Sequence, residues 1–287
     1  MKKYFALLAL LALVTIAACG CGKPKTNVGA ARSEMTVTCF DVGKGDCLLI
    51  EKDGTTVLID TGYAANSDQI IEALEEKQIT ALDYMIITHY DKDHAGSAPY
   101  LLEQFPVGTL YLPAYEGNNK CYRLLLATCD SLQITPQLVN ETVSFTLADV
   151  SWQIFPSDIV YDAASGEEAN DNDLSLVIGA RYEKDSYLFA GDMEKAEIKS
   201  YLAAGHASYD VFKVPHHGNK AGNSDELIEN VSPKIALITD SAEEPAESKL
   251  LALLEKASVT VYRTSLSGTI TVTGNGTGNY RCNTSAD

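Results

Sequence analysis

Four of the five histidines in this 287-residue chain fall in two short stretches, each directly after an apolar run. The first is Thr88-His89-Tyr90-Asp91-Lys92-Asp93-His94 and the second is Val214-Pro215-His216-His217-Gly218. Histidines on an indifferent surface would scatter. Two more apolar runs end in a similar way, at Leu58-Ile59-Asp60-Thr61-Gly62 and at Leu188-Phe189-Ala190-Gly191-Asp192-Met193. Taken alone, an aspartate at such a place is a helix N-cap or a turn residue. Four strand ends that carry imidazoles and carboxylates restrict the fold much further. They must meet at one rim, where alternating ligands can converge on cations. The fifth histidine, His206, lies in a glycine-containing loop and reads as solvent-exposed.

The rest of the chain supplies a scaffold for such a rim. Spacing predicts strands over 37–42, 47–51, 55–60, 84–88 and 109–112, with helices over 67–77, 98–105 and 118–132. A second set has strands over 143–147, 151–155, 174–180, 186–190, 211–214, 235–239, 259–262 and 269–273, with helices over 194–204 and 247–256. In both halves strands come in pairs and then alternate with helices. That pattern predicts two packed sheets with helices outside, in one domain. The 46% hydrophobic and 21% charged content excludes disorder, collagen and coiled coil as the main state. A net charge of -17, from 22 basic and 39 acidic residues, excludes a broad basic face for polyanions.

Residues 1–18 read as a signal peptide. Met1-Lys2-Lys3 is positive, and the uncharged apolar stretch to Ala17 is shorter than the about 20 residues a spanning helix needs. Ile16-Ala17-Ala18-Cys19 is similar to the bacterial lipobox. That similarity implies a lipid on Cys19 and anchorage at the extracytoplasmic face of a bacterial cell membrane. Residues 19–34 read as a tether, 35–275 as the functional domain and 276–287 as a tail. Cys21, Cys39, Cys47, Cys121, Cys129 and Cys282 remain. An oxidising compartment permits disulfides, and the spacing leaves their pairing open. There is no Cys-x-x-Cys pair, so a thiolate zinc site is not expected.

Taken in order, the strand-end motifs resemble the metallo-β-lactamase superfamily, over nearly the whole stretch from Thr36 to Thr273. A closer resemblance is to the hydrolase domain of the ComEC-like competence proteins and its stand-alone relatives. It is carried by Asp41-Val42-Gly43-Lys44-Gly45-Asp46, Asn172-Asp173-Leu174-Ser175-Leu176-Val177, Lys213-Val214-Pro215-His216-His217-Gly218 and Ser267-Gly268-Thr269-Ile270. The resemblance implies a four-layer αββα sandwich and two divalent metal ions. On the usual His-x-His-x-Asp-His pattern, His89 corresponds to a ligand of the first ion. Asp93 and His94 correspond to ligands of the second, and Asp192 to the bridging carboxylate. The late pair supplies a last ligand: His216 is favoured, with His217 as a catalytic group or alternative ligand. Asp93 is the other catalytic candidate. Asp60 corresponds to a group that orients a ligand histidine, and Asp41, Asp46 and Asn172 are assigned a similar supporting role.

Two departures from the pattern bear on the metal. Asp91 stands where the superfamily usually has histidine, and no histidine lies between His94 and Asp192. Asp173 or Asn172 is then the nearest candidate for the missing ligand. An oxygen-rich first site shifts preference toward manganese or magnesium, with zinc still compatible. The resemblance implies a monomeric hydrolase in which two cations clamp an ester and hold a hydroxide. Its first substrate class is phosphodiesters such as DNA, handled beside DNA-uptake machinery. Phosphorylcholine or teichoic-acid esters, or a lactam, form a second class. A binding protein with a degenerate metal site is a third reading, motivated by the same two departures. Lys44, Lys92, Lys213 and Lys220 are candidates to hold an anion, and Tyr63 and Tyr90 to stack on a ring.

Overall fold

The computed structural model describes residues 33–159 and 170–286. The leader, Cys19 and Cys21 lie outside the described residues. Two sheets are built from short runs of apolar residues. The first contains β1 (Met35–Cys39), β2 (Leu48–Lys52), β3 (Thr55–Ile59), β4 (Leu82–Ile86), β5 (Val107–Pro113) and β6 (Gln137–Val139). The second contains β7 (Val143–Leu147), β8 (Val150–Phe155), β9 (Val177–Tyr182), β10 (Asp185–Phe189), β11 (Val211–Lys213), β12 (Ile235–Ile238) and β13 (Thr260–Arg263). The chain then returns to the first sheet with β14 (Ile270–Gly274) and β15 (Tyr280–Thr284). Strand order is β15-β14-β1-β2-β3-β4-β5-β6 in one sheet and β13-β12-β11-β10-β9-β8-β7 in the other.

Each sheet changes character along its width. The pairs β1–β2 and β2–β3 are antiparallel, whereas β3–β4, β4–β5 and β5–β6 are parallel. The second sheet repeats this, with β7 to β10 antiparallel and β10 to β13 parallel. Parallel neighbours need crossovers, and helices provide them. These are α1 (Ser67–Glu76), α2 (Ala98–Gln104) and α3 (Lys120–Leu132) for the first sheet. For the second they are α4 (Lys195–Ala204), α5 (Ser224–Val231) and α6 (Ser248–Lys256); α7 (Thr264–Ser267) is a short turn before β14. A helix face with Ile70 and Leu74, four residues apart, shows how each packs.

Three apolar layers result, and consecutive residues divide between them. Ile59, Trp152, Tyr187 and Phe189 fill the space between the sheets. Leu58, Met85, Leu101 and Leu125 lie between the first sheet and its helices. Leu188, Phe212, Ile198 and Leu227 lie between the second sheet and its helices. Strands covered on both faces read as unbroken apolar runs, as β12 does. The β7–β8 edge alternates buried and exposed residues instead. The architecture is the αββα sandwich, and it points the ends of β3, β4, β10, β11 and β12 toward one rim.

Some elements differ from the sequence expectation. The stretch expected to be a tail contains β15, which pairs with β14 from Gly274↔Tyr280 to Ile270↔Thr284. Its mixed residues gave too weak an alternation to register. Strand β6 and helix α5 are also additional; α5 buries only Leu227, Ile228 and Val231 among its hydrophobic residues. His206 is half-buried rather than free, its ring against Tyr201 and Phe155 at 4.2 and 4.4 Å. Cys39, Cys47, Cys121, Cys129 and Cys282 are all free thiols. Among the described residues, no helix is long and apolar enough to cross a membrane.

One buried carboxylate ties the sheets together at the opposite rim. Asp185 of β10 accepts the Gly276 and Gly278 N–H groups, both at 2.7 Å, from the β14–β15 turn. Charge-assisted bonds of this kind contribute about 1.5–3 kcal/mol each. Asp185→Asn should therefore lower unfolding free energy by about 2 kcal/mol in urea denaturation. A change under about 0.5 kcal/mol would show that the turn holds without this clasp.

Candidate metal centre

Asp60 begins the site. It follows β3 with φ +56°, a left-handed conformation that aspartate tolerates better than most residues. Its carboxylate is fully buried. Oδ1 accepts the Thr88 N–H at 2.8 Å, and Oδ2 accepts the Thr88 hydroxyl at 2.7 Å and His94 Nδ1–H at 2.8 Å. One hydroxyl carries one proton. Since Thr88 gives its proton to Asp60, the contact of Thr88 Oγ1 with His89 Nδ1 at 3.0 Å makes that nitrogen the donor. His89 Nε2 is left with a lone pair and no hydrogen-bond partner, although it is buried.

The same device recurs between the second sheet and the β1–β2 connection of the first. The Thr239 hydroxyl, just after β12, donates to Asp46 Oδ1 at 2.6 Å. It therefore accepts from His217 Nδ1 at 2.9 Å, and His217 Nε2 faces the cluster. Two threonine–aspartate relays thus aim two imidazoles, while Asp60 aims His94 directly. The three rings lie close together, with centroids 4.1 Å apart for His89–His94 and 5.1 Å for His94–His217.

Asp192 sits where they converge. Its Oδ2 is 3.2 Å from His94 Nε2 and 3.1 Å from His217 Nε2, and its Oδ1 is buried without a hydrogen-bond partner. Gly191 before it adopts φ +52°, where a Cβ would lie 2.9 Å from Ser175 Cβ. Asp93 Oδ2 approaches His217 Nε2 at 3.4 Å. Asp91 Oδ2 is 3.8 Å from His89 Nε2, on a side chain that is 44% exposed. Two close triads result, His89–His94–Asp192 and Asp46–His94–His217, each with candidate ligand atoms within 4.8 Å of one another, and in the second Asp46 is already engaged by Thr239 and Lys213. Unpartnered buried His89 Nε2 and Asp192 Oδ1 fit a divalent cation, which would satisfy both.

The electrostatics express a demand for positive charge. Burial disfavours a charged His94, but Asp192, Asp60 and Asp46 outweigh it and hold its pKa well above the usual range. Burial is likewise outweighed at His217, which Asp192, Asp46 and Asp93 push up to about 10. His89 goes the other way, lowered by burial and then by His94 to about 3. Burial, with Asp93 and Asp171 nearby, pushes Asp91 up to about 6. Asp192 resists burial and stays well below the carboxylate range because of His217 and His94.

Several sequence assignments change. His217, not His216, joins the cluster. Both adopt left-handed backbone, φ +50° and +52°, and the turn sends His216 outward, where its Nδ1 is 3.0 Å from Glu194 Oε1. Asp173 does not join the cluster: its Oδ1 accepts the Glu197 N–H at the start of α4. Asn172 donates to Glu194 Oε1 instead of touching an imidazole. Asp41 accepts the Gly43 N–H and shapes its own turn. Tyr90 is buried, wedged against Tyr115 and Tyr122, with its hydroxyl on Pro113 O, so it is not a stacking surface. Lys44 pairs with Glu244, and Lys220 is exposed and donates to Ala221 O. Lys213 is buried beneath the cluster rather than facing solvent. Sequence reasoning missed Thr88, Thr239 and Glu194 as working parts. Thr239 ends an apolar run just as Asp60 and Asp192 do, and that signal was available.

The model of the metallo-beta-lactamase superfamily matches residues 40–120. ComE operon protein 3 of Bacillus subtilis is 28% identical over 261 residues, covering 83% of this chain and 33% of that protein. Recombination protein 2 of Haemophilus influenzae is 29% identical over 230 residues, 77% of this chain and 26% of its own length. The chain spans a third or less of the length of these curated relatives. Among solved structures, a CmlA beta-hydroxylase has a TM-score of 0.53 at 16% identity, over 85% of this chain and 54% of that one, a likeness of fold alone. Over residues 40–120 the chain matches the metallo-β-lactamase superfamily, and over most of its length it is similar to the ComEC-like competence proteins.

Proposed function

We propose that this protein is a metal-dependent hydrolase of phosphodiesters, with DNA as the first substrate class. The observation that carries the reading is the convergence of His89, His94, His217 and Asp192, with a lone pair and a carboxylate oxygen left unsatisfied in the interior. His89, His94, Asp93, Asp192 and His217 would hold divalent ions, with Asp91 completing the first position at the mouth. Bound there, such ions supply Lewis acidity toward a phosphoryl oxygen and a lowered pKa for water. Manganese is the favoured ion, because carboxylates contribute so much of the donor set, and zinc fits the imidazoles.

The chain's own residues do the rest. Asp60 and Asp46, through Thr88 and Thr239, keep the two relayed Nε2 atoms aimed inward. His216, fixed by Glu194 at the half-exposed mouth, is placed to serve the substrate rather than the metal. Tyr63 stands at the same rim beside Lys92, whose Nζ is 6.0 Å from the ring centroid. The chain carries a net charge of -17, so a polyanion is held at the centre and not by a broad basic face. Relatives named for competence and recombination support DNA as the substrate class. A lipid on Cys19 would place the reaction at the extracytoplasmic membrane surface, beside DNA-uptake machinery.

Protein loaded with Mn2+ should hydrolyse linear DNA and a bis-aryl phosphodiester, and Asp93→Ala should reduce the rate at least about a hundredfold. Activity retained in that variant, or confined to phosphorylcholine esters or lactams, would refute the assignment. Thr239→Val should weaken Mn2+ binding by about 10–100-fold in titration calorimetry, because His217 loses the acceptor that fixes its tautomer. Unchanged affinity would remove the relay from the account. Without metal, the surrounding carboxylates favour the protonated forms of His94 and His217, and a ligand nitrogen needs its lone pair. Metal uptake should therefore release protons, and affinity should rise with pH. Calorimetry in buffers of different ionisation enthalpy reads the proton number, and zero release would contradict the charge state described.

A further inference from the structure

Lys213 is the last residue of β11, and its side chain is completely buried. Its Nζ lies 2.5 Å from Asp46 Oδ2 and 3.8 Å from Asp192 Oδ1, which accepts no hydrogen bond, and it donates to Gly191 O at 3.4 Å. Among the described residues, no other lysine or arginine pairs with the carboxylates of this cluster. A buried amine is costly unless it neutralises something. Here it neutralises the head of the Asp46–Thr239–His217 relay and faces the carboxylate that joins His94 to His217. Neither contact reaches solvent, so Lys213 cannot hold a substrate phosphate. The charge is permanent, while a divalent ion comes and goes.

We propose that Lys213 is a built-in counter-cation of the metal centre. It lets the acidic cluster fold before metal arrives, and it lowers the affinity with which a divalent ion is then held. The inference rests on the reading of the cluster as a divalent metal site. Two effects set the direction. A fixed positive charge a few ångströms from the ligands repels a dication through a weakly screened interior. The same charge draws electron density from Asp46, which makes His217 a poorer donor through Thr239. Both effects weaken metal binding, and both vanish when the charge is removed. A purely structural lysine predicts the opposite, since its loss would disorder Asp46 and His217 and loosen the metal.

The test measures Mn2+ affinity by calorimetry, and melting temperature with and without Mn2+, for the wild type, Lys213→Met and Lys213→Arg. Lys213→Met should bind Mn2+ about tenfold more tightly or better. Its melting temperature should fall in metal-free buffer and recover largely with Mn2+. Lys213→Arg, which keeps the charge, should bind like the wild type. A variant folded only with Mn2+ gives the same answer. If Lys213→Met folds under neither condition, Lys213→Gln carries the test, because it keeps a donor to Asp46 without the charge. Weaker binding in the neutral variant, or an equal loss of melting temperature in both buffers, overturns the proposal while leaving the metal centre intact. A wild type that binds no divalent ion overturns both.

Discussion

Carboxylates taken out of water set the terms for everything else at this rim. Asp46, Asp60 and Asp192 are almost wholly buried, and a buried charge persists only when it is paired and hydrogen-bonded. Each is paired differently. Asp60 spends both oxygens on Thr88 and His94, Asp46 divides between Lys213 and Thr239, and Asp192 keeps one oxygen without a hydrogen bond. The first two are therefore props and the third is a working group. Their placement depends in turn on the two-sheet sandwich, because Asp60 comes from one sheet and Asp192, Thr239 and Lys213 come from the other.

The two halves contribute in parallel ways. Each begins with antiparallel strands, becomes parallel, and delivers a threonine, an aspartate and a histidine at a strand end. His89 and His217 are fixed by the same kind of hydrogen-bond chain, the first within one sheet and the second running from Thr239 after β12 to Asp46 before β2 of the other sheet. The described cysteines are all free, so hydrogen bonds and packing, not disulfides, hold this rim. The interior between the sheets supplies the stiffness, with Trp152, Tyr187 and Phe189 at its centre.

Much of this was legible in the sequence, and for physical reasons. Short buried apolar runs announce strands, so β3, β11 and β12 and the apolar ends of β4 and β10 were found. Ligands that follow such runs directly were found with them, as His89, His94, Asp60 and Asp192 were. Identity within a contiguous pair was not legible. His216 and His217 differ only in the direction that a left-handed turn sends each ring, and residue type does not encode that direction. Burial of a charged residue was equally opaque. Lys213 reads like its neighbours Lys44 and Lys220 until the fold closes over it. Asp173 reads as a ligand by position, yet the start of α4 takes its carboxylate. Strand β15 escaped because an edge strand with one half-buried face carries little apolar signal.

The backbone at Asp60 imposes two demands at once. Its left-handed φ favours glycine, asparagine and aspartate, and its two carboxylate oxygens accept three hydrogen bonds, one of them from an imidazole. Glycine has no oxygen, asparagine would turn an N–H toward one of these donors, and glutamate reaches further from a backbone it does not tolerate as well. The genetic code offers a single letter that meets both demands. Position 60 therefore has an alphabet of one, and a diverged chain with another letter there has also abandoned the imidazole it steers.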